Sequence, residues 1–198
     1  MDFLSDAFDY KNGSIVKRQM LYQIQRFVSL ANNIEKISPA SDGLKILFLR
    51  ICLESLQSLS NCDKKAFYNT FCEHFSDEGK DYILSHFKLS FFEDEYLGHT
   101  FEAHHDIILS DFLLIIKTIR DSIVHDGKNW SMPFFAHDED SILFTSMETD
   151  EKMIKSYTYH RTDTKVIEYH FMTTLNYEKF IFCFVEACIS YIDSIFPK

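Results

Sequence analysis

The sequence predicts a mainly α-helical domain, an antiparallel helical bundle with a small antiparallel β insertion before its last helix. Three observations carry this. Long segments repeat apolar residues every three or four positions, which puts them on one helix face. One late segment, residues 141–174, is instead rich in β-branched and aromatic residues. The 198-residue chain has 46% hydrophobic residues and only 5 Gly and 3 Pro, enough apolar matter for one sizeable core and little for long linkers. A single domain over residues 1–198 is expected, with a helical core at about 14–127 and 176–196 and the β insertion at about 129–174.

The first helix is expected over 14–37, with Val16, Met20, Ile24, Phe27, Ala31 and Ile34 as its stripe. Ser38-Pro39 stops it, because proline has no amide hydrogen and turns its predecessor away from the helical region. The second runs over 43–59 after Ser41-Asp42, an N-cap pair. Its apolar residues cover most of the circumference, as in a helix buried on several sides, so it is placed at the centre. Arg50 and Glu54, four apart on it, are read as an ordinary surface pair. Residues 63–75 form a third helix with Phe67, Tyr68, Phe71, Cys72 and Phe75 on one side. A fourth restarts at Ser76-Asp77-Glu78-Gly79 and keeps helical spacing through Tyr82, Ile83, His86 and Phe87. Residues 90–103 have no clean period and are read as loop.

The second strongly apolar helix spans 105–125, with Gly127 placed to end it. Strand composition then appears at 141–149, 152–161 and 165–174, with Arg161-Thr162-Asp163-Thr164 as a turn. The closing helix, 176–196, carries Ile181, Val185, Cys188, Ile192 and Ile195 on one stripe.

Several function classes lose support at this level. A net charge of −10 opposes broad charge-driven binding to nucleic acid or anionic membrane, although a small basic pocket is compatible with it. No apolar run reaches the roughly 18 residues needed to span a bilayer, and the acidic start MDFLSDAFDYKNGS does not read as a signal peptide. Five cysteines without a C-x-x-C pair suit a reduced, cytoplasmic protein. Glu102-x-x-His105 has the spacing of a di-iron carboxylate site, but only one copy occurs where two are needed. Adjacent His104 and His105 aim their rings apart, and His160 and His170 flank the hairpin turn as strand residues. No zinc spacing, glycine-rich phosphate loop or serine elbow is present, so no metal or cofactor is expected. Trp130 is read as a cover for the bundle end.

Arg120 and His125 stand out. A guanidinium holds phosphate oxygens with a planar fork of donors, and an imidazole moves a proton near neutral pH. The pair lies in the last turns of an apolar helix, whose C-terminus favours positive charge. Five residues are about 140° of helical rotation, so the two side chains flank one side. The segment Ile115-Ile116-Lys117-Thr118-Ile119-Arg120-Asp121-Ser122-Ile123-Val124-His125-Asp126-Gly127 resembles the signature of the HEPN superfamily: Arg, a polar residue, further residues, then His at the end of a bundle helix. The resemblance is tight over 105–127 and architectural elsewhere, with 129–174 as an insertion beyond the minimal bundle. It implies a metal-independent endoribonuclease that uses the 2′-hydroxyl of RNA as nucleophile. His125 would then be general base or acid and Arg120 would stabilise transition-state charge. Asp121 would orient Arg120 or His125. The resemblance also implies a homodimer with a shared cleft, and a toxin–antitoxin or defence setting with an antitoxin or other protein partner. Some HEPN-like proteins are non-catalytic binding or scaffold domains, which is the alternative.

Overall fold

The computed structural model describes residues 15–37, 42–92, 101–105, 107–125, 134, 143–149, 159–160 and 167–196. The chain is mainly helical. Six α-helices are present among the described residues: α1 (Ile15–Asn33), α2 (Asp42–Ser60), α3 (Lys64–Glu73), α4 (Asp77–His86), α5 (Leu109–His125) and α6 (Tyr177–Ile195). A 3₁₀ turn, Ile34–Lys36, extends α1. Ser38, Pro39 and Ser41 lie outside the described residues.

Helix α2 packs on both α1 and α5. It buries Ile46, Leu49, Cys52, Leu53 and Leu56 completely, as the near-continuous apolar surface of that segment requires. Helix α5 adds Phe112, Ile115, Ile116 and Ile119, and α6 adds Phe180, Phe184, Cys188, Tyr191 and Ile192. Phe67, Phe71 and Tyr191 form an aromatic knot between α3 and α6, with ring centroids 5.1 Å (Phe67–Tyr191), 5.6 Å (Phe67–Phe71) and 5.9 Å (Phe71–Tyr191) apart. Cys52, Cys62, Cys72, Cys183 and Cys188 are all free thiols.

Among the described residues, three helix starts are capped by a side chain at the preceding residue, and at α3 Asp63 Oδ1 accepts from the Ala66 amide at 3.1 Å. Ser76 Oγ accepts from the Gly79 amide at 3.2 Å, and Asn176 Oδ1 accepts from the Lys179 amide at 3.1 Å. Each satisfies an amide that the first helical turn otherwise leaves without a partner.

The strands are β1 (Phe87–Phe92), β2 (Phe101–His105), β3 (Leu143–Thr149), β4 (Tyr159–His160) and β5 (Ile167–Thr173). They form an antiparallel sheet in the order β2-β1-β5-β3, with β4 also paired to β5. This corrects three readings of the sequence. The segment 90–103, read as loop, contains the end of β1 and the start of β2. Helix α4 ends at His86, and Phe87 begins β1 instead of completing a helical stripe. Helix α5 begins at Leu109, because 101–105 belongs to β2. The physical reason is common to all three. β1 pairs with β5, whose residues come some eighty positions later, with Phe87 opposite Thr173 and Ser90 opposite His170. Its pairing to β2 also slips between Leu89 and Ser90, which breaks any simple alternation.

Phe87 joins sheet to bundle. It is fully buried, with its ring 5.1 Å from Phe112 of α5 and 5.2 Å from Phe171 of β5. The chain between α5 and β3 is anchored at Phe134. Its amide donates to Asp42 Oδ2 at 2.9 Å, and its ring stacks on Phe180 at 5.5 Å. Lys45, buried on α2, fixes Asp42 at 2.9 Å and Glu35 at 3.1 Å and lies over the Tyr177 ring. No described helix is long and apolar enough to cross a membrane.

Candidate functional site

The apolar residues of α5 turn toward the core and leave Lys117, Arg120 and Asp121 along the seam with α2. Ile115, Ile116 and Ile119 are buried, while those three are half-buried. Arg120 Nη2 donates to Glu54 Oε2 of α2 at 2.8 Å, and its Nη1 donates to Asp121 Oδ1 at 2.7 Å. Asp121 Oδ2 is held in turn by Lys117 Nζ at 2.9 Å, one helical turn back. Both terminal nitrogens of the guanidinium are therefore engaged, by acceptors on two different helices.

Behind this pair lies Arg50. It is only 1% exposed, with Nε 3.5 Å from Glu54 Oε1 and Cζ 4.2 Å from the centre of the Tyr68 ring of α3. The sequence reading of Arg50 and Glu54 as a surface pair is thus corrected: the arginine is inside and Glu54 bridges it to Arg120. Burial, helped by repulsion from Arg120, holds the Arg50 guanidinium below its ordinary value, and burial, helped by the charges of Glu54 and Asp121, pushes the Tyr68 hydroxyl up to about 12. Burial also works against the charge on Arg120, but the bond to Asp121 and the charge of Glu54 outweigh it and raise its affinity for the proton. For Asp121, desolvation is again overcome, here by Lys117 and Arg120, which hold the carboxyl below its usual range.

The charges do not cancel. Among the described residues, three cations, Arg50, Lys117 and Arg120, face two carboxylates, Glu54 and Asp121, an excess of one positive charge in a chain of net charge −10. A guanidinium has five N–H donors. Two of those on Arg120 are taken by the carboxylates, and its buried Nε has no partner among the described residues.

His125 is the last residue of α5. Its side chain lies outside the described residues, as do Asp126, Gly127 and Trp130. The structure therefore brings together Arg120 and Asp121 of the residues singled out in the sequence, and adds Glu54, Arg50, Lys117 and Tyr68. The signal for Arg50 was present: a charged residue on a helix apolar nearly all round must find a partner inside. Glu102, His104 and His105 sit on β2 with side chains outside the described set, and no cluster of three metal-ligating side chains occurs among the described residues. A separate cleft of about 570 Å³ lies between the starts of α4 and α6, lined by Tyr82, Lys179, Cys183 and Glu186 among others, and does not include Arg120. Comparison with family models, curated proteins and solved structures gives no match to this chain.

Proposed function

We propose that this chain is a metal-independent endoribonuclease of the HEPN type. The observation that carries the reading is Arg120: a guanidinium fixed at both terminal nitrogens, in a seam whose described residues hold one more cation than carboxylates, five residues before a histidine that ends the same helix. In this reading the 2′-hydroxyl of RNA attacks the adjacent phosphorus and the 5′-oxygen leaves. The products are a 2′,3′-cyclic phosphate and a 5′-hydroxyl. His125 moves the proton as general base or acid. Arg120 stabilises the charge that builds on the non-bridging oxygens, and Asp121 orients Arg120. The active form is a cytoplasmic homodimer whose two Arg/His pairs share a cleft, within a toxin–antitoxin or other defence system. The chemistry needs no metal or cofactor.

The test is RNA cleavage by purified protein in EDTA. Wild type should cleave and leave cyclic phosphate ends, while His125→Ala should not. Equal cleavage by both proteins, or loss of wild-type cleavage in EDTA, rejects the mechanism.

A second reading, a non-catalytic HEPN-like binding or scaffold protein, is favoured by one observation. Glu54 and Asp121 already engage both terminal nitrogens of Arg120, as they would in a purely structural ion cluster. That reading predicts no cleavage at any salt concentration and a stable protein complex in pull-downs.

A further inference from the structure

We propose that Glu54 is a positioning residue for Arg120, and that buried Arg50 in turn holds Glu54. This rests on the ribonuclease reading and names residues that lie outside the Arg–His signature. An arginine on a helix surface samples many rotamers, and a transition-state contact requires one of them. Here the direction of the guanidinium is set from two sides. Glu54 Oε2 takes Nη2 at 2.8 Å from across the α2–α5 seam, and Asp121 Oδ1 takes Nη1 at 2.7 Å from within α5. Asp121 alone leaves the plane free to swing about that one bond. Glu54 removes the swing, because its backbone belongs to the central helix of the core.

Glu54 is itself restrained. Its second oxygen lies 3.5 Å from Arg50 Nε, and Arg50 is enclosed between α2 and the Tyr68 ring. Arg50 is a poor device for stability. Among the described residues its Nε and Nη2 are buried without a hydrogen-bond partner, and so is the Tyr68 hydroxyl. A hydrophobic side chain of similar volume would hold the helices together at least as well. What a hydrophobic residue cannot do is attract the Glu54 carboxylate, and through it bias the plane of Arg120. Among the described residues the arrangement also leaves the seam with one more cation than carboxylates, so positioning does not cancel the attraction for a phosphodiester.

The experiment measures cleavage of a defined RNA in EDTA by wild type, Glu54→Gln, Glu54→Asp and Arg50→Met. Alongside it, NMR of the Arg120 Nε–Hε group, assigned with Arg120→Lys, reads rotational restriction of the guanidinium. Glu54→Gln should lower kcat about 10- to 100-fold with KM within about threefold, the effect expected of misplacement by about 1 Å. Its Arg120 signal should show faster rotation. Glu54→Asp, one methylene shorter, should fall between. Arg50→Met should lower kcat several-fold without loss of stability, a combination that a merely structural residue does not give. Wild-type kcat in Glu54→Gln, or an unchanged Arg120 signal in that variant, overturns the positioning role alone. Absence of cleavage by wild type with Arg120 rotationally restricted overturns the ribonuclease reading, and the positioning role with it.

Discussion

Replacing Arg50 by methionine is expected to leave the fold as stable as the wild type to within about 1 kcal/mol, although it deletes an ion pair. At 3.5 Å and an effective dielectric of about 20, the gross attraction between Arg50 and Glu54 is about 5 kcal/mol. The stacking of the guanidinium on Tyr68 adds about 2 kcal/mol. Against this stand the several kcal/mol of desolvation for a guanidinium that is 1% exposed and about 1–3 kcal/mol for each buried donor left without a partner among the described residues, here Nε and Nη2. Repulsion from Arg120 acts in the same direction. The opposing terms are of equal size, and methionine fills most of the space. Glu54→Gln behaves differently. It strands Arg50 as a buried charge, which costs about 3–5 kcal/mol in a dry site; because the Glu54 side chain is 26% exposed, about 2–3 kcal/mol is expected here. In a chain of this length that corresponds to a fall in Tm of roughly 5–10 °C. Urea denaturation at pH 7 with m-values compared across the variants measures both effects. A loss above about 3 kcal/mol for Arg50→Met, or none for Glu54→Gln, would refute the reasoning.

Other outcomes follow from the same contacts. The Tyr68 hydroxyl ionises at about 12 in the fold against 10.0 when free, so its contribution to stability is complete below pH 10 and is lost as the pH rises toward 12. Cys72, raised to about 11 by burial, acts over part of the same alkaline range, so Tyr68→Phe should remove part of the alkaline fall in the urea midpoint and not all of it. Phe87→Ala, at a fully buried ring between Phe112 and Phe171, should cost about 3–5 kcal/mol in denaturant unfolding. A cost under about 1 kcal/mol would mean that Phe87 does not tie the sheet to the bundle. Asn176→Ala removes the cap of α6 and should cost about 1 kcal/mol, with Asn176→Asp retaining most of it.

Much of the helical framework is legible in the chain. The stripes of α1, α5 and α6 and the nearly all-apolar surface of α2 need only local spacing, because a helix closes its hydrogen bonds within a few residues. Asn176 before α6 and Ser76 before α4 mark their ends for the same local reason. The sheet was less legible. β1 finds its partners in β5, so residues 87–92 carry little information about their own conformation.

The site divides along the same line. The amino-acid sequence by itself determined that Arg120, Asp121 and His125 share the end of one helix, since their spacing along a regular backbone sets their places. It also placed Arg50 and Glu54 one turn apart on α2. Only the tertiary structure decided that α2 turns this pair toward Arg120, so that a carboxylate read as surface becomes a bridge between two guanidiniums. Helical periodicity says which residues share a face; it does not say which helix that face will meet. That choice belongs to the packing of the whole core, where the fit of many buried side chains outweighs any single ion pair.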